Sequence, residues 1–198
     1  MEDTRALLAT AVVAWAQKGA ERSVFDTLPR SVMPLLVMAH AESYALGDGL
    51  AKAQQNITGW PSTQPSPVPS ALTDKIAESE RAFLEKFAND IQSGLYVDEL
   101  GNLRVDALRA RAELYAHRLY GTAQRGWLDA MPRTVMLYWI ARDDTGTCFD
   151  CATLEANGPY TADTIPTWPG SGDTDCNVGC RCWIETADGL LSFQEIKH

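Results

Sequence analysis

Cys148, Cys151, Cys176, Cys180 and Cys182 are the only cysteines in a chain of 198 residues, and they fall within 35 consecutive positions. The spacing is Cys148-x2-Cys151, then 24 residues, then Cys176-x3-Cys180-x-Cys182. Two thiolates on a CxxC turn can share one metal ion at tetrahedral angles, and a second pair from a distant loop completes a structural zinc site. The preferred ligand set is Cys148, Cys151, Cys176 and Cys180, with Cys182 either facing inward or standing in for a neighbour. The intervening "ANGPYTADTIPTWPGSGDTD" is too rich in Gly and Pro to build its own core. A zinc ion at its base, with an apparent binding energy of ~10–16 kcal/mol, replaces the missing hydrophobic burial. Sulfur is thus concentrated where the chain lacks apolar means to hold itself. A disulfide-bearing loop and free buried thiols are the competing readings. The odd cysteine count and the expected cytosolic folding site suit a disulfide framework poorly. A redox-active CxxC is disfavoured, because the motif is not expected to follow a strand and open a helix within a βαβ unit.

Catalytic patterns are sparse. The three histidines are His40, His117 and His198, none beside the cysteines. The first two fall in helical stretches, where a polar-face or satisfied core role is expected. No H-x-E precedes a P-C-x-x-C, so the zinc-deaminase signature fails. Neither a G-x-S-x-G elbow nor a phosphate-cradling G-x-x-x-x-G-K-[ST] occurs. "GSGDTD", 170–175, is a flexible acidic turn with too few fixed carboxylates for calcium. Asp143 and Asp144 could form a catalytic pair, but adjacent carboxylates at a strand end are expected to cap or orient the loop. The chain is read as non-enzymatic.

The formal net charge is −9. Non-specific nucleic-acid affinity comes largely from phosphate neutralisation by a basic surface, so a DNA contact is not favoured. A zinc-ribbon nucleic-acid binder is the alternative reading. No segment approaches the ~20 apolar residues that span a bilayer, and the acidic start of "MEDTRALLATAVVAWAQKGA" argues against a secretory signal.

The elements that must position the cysteines divide into four stretches. Residues 1–56 form an N-terminal helical region in which Ser31 is the expected N-cap, Pro34 lies in the first turn, and Gly47 and Gly49 weaken or end the helix. Residues 57–72 hold Pro61, Pro65, Pro67 and Pro69 and read as a semi-rigid linker or arm. Residues 73–133 read as a helical hairpin. Ile76, Phe83, Phe87 and Ile91 line its first helix, and Val105, Leu108, Ala112, Tyr115, Leu119 and Ala123 line its second. Gly121 and Gly126 loosen the end before Pro132 stops it. Residues 134–198 form the Cys-rich module. "TVMLYWIA", 134–141, reads as a strand, and "RCWIETADGLLSFQEI" as two strands around Asp188–Gly189. The expected fold is α+β and mainly helical, ending in a small zinc-stapled, loop-rich β module. Trp60, Trp127, Trp168 and Trp183 could anchor an interface, although local packing is the simpler role for each.

The segment from "YWIARDDTGTCFDCATLEANGPY" to "CNVGCRCWI" resembles the C-terminal module of the phage Mu F-like minor head proteins. Trp139, Asp143 or Asp144, Cys148, Cys151, Leu154, Cys180, Arg181 and Cys182 match that family's aromatic strand, acidic residue, C-x-x-C-x-x-L and terminal C-R-C. The family commonly has a His shortly before its C-R-C; Cys176 stands there instead, and cysteine fills a zinc seat equally well. The resemblance covers 134–186, about a quarter of the chain. It implies a component of a tailed-phage head, assembled in the host cytoplasm and sited at the portal vertex. Its partners would be a portal or major capsid protein, or further copies of itself, and its role head morphogenesis or genome delivery.

Overall fold

The computed structural model describes residues 10, 13, 14, 28–61 and 70–192. Helix α1 is Leu28–Thr58, α2 is Ser70–Gln92 and α3 is Val105–Ala130. Strand β1, Leu137–Ile140, precedes helix α4, Phe149–Asn157. A single 3-10 turn, Asn177–Gly179, and strand β2, Trp183–Thr186, follow. The protein is mainly helical with one two-stranded sheet, as expected. Most of the first 27 residues, three of the four arm prolines (Pro65, Pro67 and Pro69) and residues 193–198 lie outside the described residues.

Packing gathers the chain into two compact units that cut across the four sequence stretches. One comprises 1–41 with 69–116, the other 42–68 with 117–198.

In the first unit, Leu84, Phe87 and Ile91 of α2 fall at three- and four-residue steps and bury with Leu36, Tyr96 and Leu108. Ile76 and Phe83 of the expected stripe are only half-buried. Phe87 and Tyr96 meet edge to face, with ring centroids 5.4 Å apart. The chain reverses after α2 through a turn held by Asp98. Its carboxylate accepts the backbone N–H groups of Leu100 and Asn102 at 2.9 and 2.8 Å. The Asn102 bonds hold the Asp98 carboxyl below its ordinary pKa. His40 lies 3.5 Å from Glu80, both buried, which gives that histidine the core role expected of it.

The second unit corrects the sequence reading of the glycines. α1 starts at Leu28, ahead of the expected Ser31 cap, encloses Pro34, and runs without interruption through Gly47 and Gly49 to Thr58. α3 likewise continues through Gly121 and Gly126. A Cβ on Gly47 would sit 2.0 Å from the Ala123 carbonyl oxygen, and one on Gly126 would sit 2.1 Å from that of Tyr44. These glycines admit a neighbouring backbone; they do not end helices. Close approach lets side chains tie the two helices together. Trp127 Nε1 donates to Gln54 Oε1 at 2.7 Å, and Gln55 Nε2 donates to the Ala130 carbonyl at 2.7 Å. Tyr44 donates to Asp129 at 2.9 Å, and burial followed by that carboxylate pushes the Tyr44 hydroxyl pKa upward.

This helix pair carries the sheet. β1 and β2 run antiparallel, with Leu137 opposite Thr186 and Ile140 opposite Trp183. The alternation expected of a half-buried strand is present, with Leu137 and Trp139 inward on β1 and Ile184 and Thr186 inward on β2. The strand expected over 134–141 is shorter, because 132–135 form a turn closed by the Val135 N–H donating to the Pro132 carbonyl at 3.1 Å. The hairpin expected around Asp188–Gly189 is present as a tight antiparallel return: the Gly189 N–H donates to the Thr186 carbonyl at 3.0 Å, the Thr186 N–H to the Leu190 carbonyl at 2.9 Å and the Ser192 N–H to the Ile184 carbonyl at 2.8 Å. Its second leg is a single bridge, Glu185 to Leu191, and the strand partner of β2 is β1. Trp127 is fully buried and Trp139 nearly so, while Trp60 and Trp168 pack at the margin of the same core. For Trp127 the interface role is therefore overturned by burial.

Gly47 and Gly49 provide a matched test of the close crossing. Gly49 is helical and exposed, with nothing within 4 Å of the place a methyl group would take, whereas Gly47 faces backbone. Gly49→Ala should stabilise the protein by up to ~1 kcal/mol through helix propensity. Gly47→Ala should destabilise it by ~1–3 kcal/mol through overpacking. Thermal denaturation followed by circular dichroism reads both signs.

Candidate metal centre

Three separate pieces of backbone bring the sulfurs together. Cys148 is the N-cap residue of α4, in extended conformation, and Cys151 lies fully buried in the first turn of that helix. The CxxC motif follows strand β1 and opens a helix where the sequence reads as loop. The next strand returns antiparallel, so no βαβ unit is formed, as expected. Helix N-termini favour negative charge, which suits thiolates at both positions.

Cys176 precedes the 3-10 turn, whose first residue, Asn177, has φ 52°, a left-handed conformation that asparagine tolerates. The Asp175 backbone N–H donates to Asp150 Oδ2 at 2.8 Å and fastens this loop to the first turn of α4. Cys180 and Cys182 alternate along the approach to β2. Both are buried, and Arg181 between them projects outward. The Tyr120 hydroxyl donates to the Cys182 carbonyl at 2.9 Å, fixing the C-R-C segment to α3.

Arg181 closes the loop on its other side. Its two terminal nitrogens donate to Asp144 at 2.8 and 2.7 Å, a bidentate pairing. Arg142 Nε adds a third contact to Asp144 at 3.1 Å, and the Gly146 backbone N–H donates to the same carboxylate at 2.9 Å. The Arg181 bond, ahead of the others, holds the Asp144 carboxyl below its usual range. Of the two acids singled out in the sequence, Asp144 is the one that orients the loop.

All five cysteines carry free thiols. Cys151 Sγ lies 3.6 Å from Cys176 Sγ and 3.7 Å from Cys180 Sγ. A disulfide needs about 2.05 Å. Four sulfurs bound at about 2.3 Å to one tetrahedral ion lie about 3.8 Å apart, so the observed spacing could accommodate a shared metal. Two trios have all their sulfurs within 4.8 Å: Cys148, Cys151 and Cys176, and Cys151, Cys180 and Cys182. Cys151 belongs to both. Contacts from Cys180 and Cys182, then burial, push the Cys151 thiol pKa upward. Hydrogen bonds from Cys151 and Cys180 pull that of Cys182 down.

The cluster can therefore hold a metal ion, and it contains every cysteine predicted for that role. It also includes Cys182, the alternate in the sequence reading; its alternation with Cys180 across one residue was the available signal. No histidine joins either trio among the described residues. The Asp144–Arg181 clamp and the Asp150–Asp175 tie are long-range contacts that spacing alone does not reveal. No family model, curated protein or solved structure matches the chain.

The clamp has a defined pH dependence. Because the folded Asp144 pKa is depressed, its stabilisation is complete above the ordinary carboxylate range and is lost as pH falls through the lowered value. Limited proteolysis of the loop should accelerate only below that range. The Asp144→Asn variant should be cleaved faster at neutral pH, melt a few degrees lower, and lose this acid-dependent step.

Proposed function

We propose that the chain is a non-catalytic assembly protein of a tailed-phage head, associated with the portal or capsid, whose C-terminal module is held by structural zinc on cysteine thiolates. The observation that carries the metal part is the convergence of sulfurs from α4, the 3-10 loop and the C-R-C segment on Cys151 at 3.6–3.7 Å. The 24 residues between the cysteine groups pack Ile165, Leu154, Tyr160 and Trp168 on the core, and an ion at their base would add a covalent anchor to that packing.

The phage-head part rests on the resemblance over 134–186, and the spatial pairing of its matched residues supports it. The acidic residue and the arginine of C-R-C, 37 positions apart, form one ion pair. Leu154 packs beside the buried cysteines. Arg142 and Arg181, the nearest basic groups to the sulfurs in sequence, are both engaged by Asp144, which weakens the case for a phosphate-binding face. No described helix is long and apolar enough to cross a membrane.

Two measurements test the reading. Removal of metal by a strong chelator under reducing conditions should make the segment after Ala141 protease-sensitive while most helical signal persists; unchanged resistance would contradict the staple. Affinity purification of the tagged protein from phage-infected cells should recover a portal or major capsid protein in fixed stoichiometry. Recovery of nucleic acid alone, in a salt-sensitive manner, would favour the zinc-ribbon alternative instead.

A further inference from the structure

A single tetrahedral ion uses four sulfurs, and this module brings five into contact. They do not form a quartet plus a spare. Among the described residues the sulfurs divide into two trios, each tight enough for one ion, and no four are held within the same 4.8 Å limit. The shared member, Cys151, has one close sulfur neighbour from each trio, Cys176 at 3.6 Å and Cys180 at 3.7 Å. We infer that the cluster is a five-thiolate, two-metal centre in which Cys151 Sγ bridges two soft divalent ions, one in the Cys148–Cys151–Cys176 seat and one in the Cys151–Cys180–Cys182 seat. This rests on the reading that the cluster binds metal at all, and it raises the capacity from one ion to two.

Burial and charge support the pairing of seats. Cys151, Cys180 and Cys182 are all buried, and a buried thiol left out of coordination would contribute neither charge neutralisation nor a strong hydrogen bond. Five thiolates carry one negative charge more than two divalent ions supply. The Arg142–Asp144–Arg181 trio beside them carries one net positive charge, while Asp150 and Asp175 next to the ligands add negative charge, so neutralising the thiolates with two ions leaves less to compensate. A single ion on four thiolates would leave two negative charges to be compensated by the same trio, and uncompensated buried charge is costly.

The seats differ in access. Cys148 and Cys176 are half-buried, so the first seat can complete its coordination with solvent, whereas the second is enclosed. Three-sulfur coordination selects thiophilic ions with filled d shells, such as zinc and cadmium, over magnesium, calcium or manganese.

Cadmium is the direct probe. The full-length protein, reduced and exchanged into Cd2+, is weighed by native mass spectrometry and followed by its thiolate-to-cadmium absorption. Two ions per chain are expected, with two cadmium-113 resonances that show scalar coupling through the shared sulfur. Cys182→Ser and Cys148→Ser should each lower the capacity to one ion and remove the coupling. One ion in the wild-type protein, or a capacity unchanged by Cys182→Ser, would overturn the two-metal centre while leaving the single staple intact. No bound ion would overturn both. The wild-type count needs no variant, so a variant that fails to fold does not obscure the result.

Discussion

The C-terminal module depends on one buried sulfur. Cys151 is fully enclosed, lies in the first turn of a nine-residue helix, and is the point where three otherwise separate segments meet. Short elements cannot fix such a meeting by themselves. α4 is too short to be stable in isolation, and each strand of the sheet has only four residues. They are ordered by packing of Leu137, Trp139 and Ile184 on the core around Trp127, by contact at the sulfur cluster and by the Asp144–Arg181 clamp. Under the proposed reading, metal binding converts that convergence into folding free energy, as it does in other small metal-held domains.

The helical platform explains how the cluster is held in register. The close crossing at Gly47 and Gly126 brings the second half of α1 against α3, which leaves Trp127 and Gln54 buried and mutually satisfied. Gln54 also donates to the Leu191 carbonyl at 2.9 Å, and Tyr120 holds the Cys182 carbonyl. The C-R-C segment and the return leg after β2 are thus fastened to helices by directed hydrogen bonds, which specify position more narrowly than apolar packing does. The Arg125 guanidinium lies 4.8 Å above the Trp168 ring and holds the distal part of the Gly- and Pro-rich loop by a cation–π contact.

Much of this was legible in the sequence, and the failures have a common cause. β-Branched and aromatic composition placed β1, three- and four-residue spacing gave Phe87, Ile91, Leu108 and Leu119, and cysteine spacing gave the metal-competent cluster. Local rules read Gly47 as weakening or ending its helix and Gly121 and Gly126 as loosening theirs, because propensity describes an isolated helix while the reason for these glycines is a backbone carbonyl from another segment. The same limit applies to Cys182 and Arg181. Whether a side chain faces inward along a short extended segment depends on the partner strand, and β2 pairs with β1 across more than 40 intervening residues. The segment opened by the CxxC reads as loop yet forms a helix, because "FDCATLEAN" packs its Cys151 and Leu154 on a core supplied from elsewhere.

Whether the sulfurs hold an ion is decided by X-ray absorption at the zinc edge of the purified protein, prepared under reducing conditions without added chelator. Copurified zinc is expected, with a first shell dominated by sulfur at about 2.3 Å. A shell dominated by nitrogen or oxygen, or the absence of bound metal from folded protein, would rule out the zinc staple.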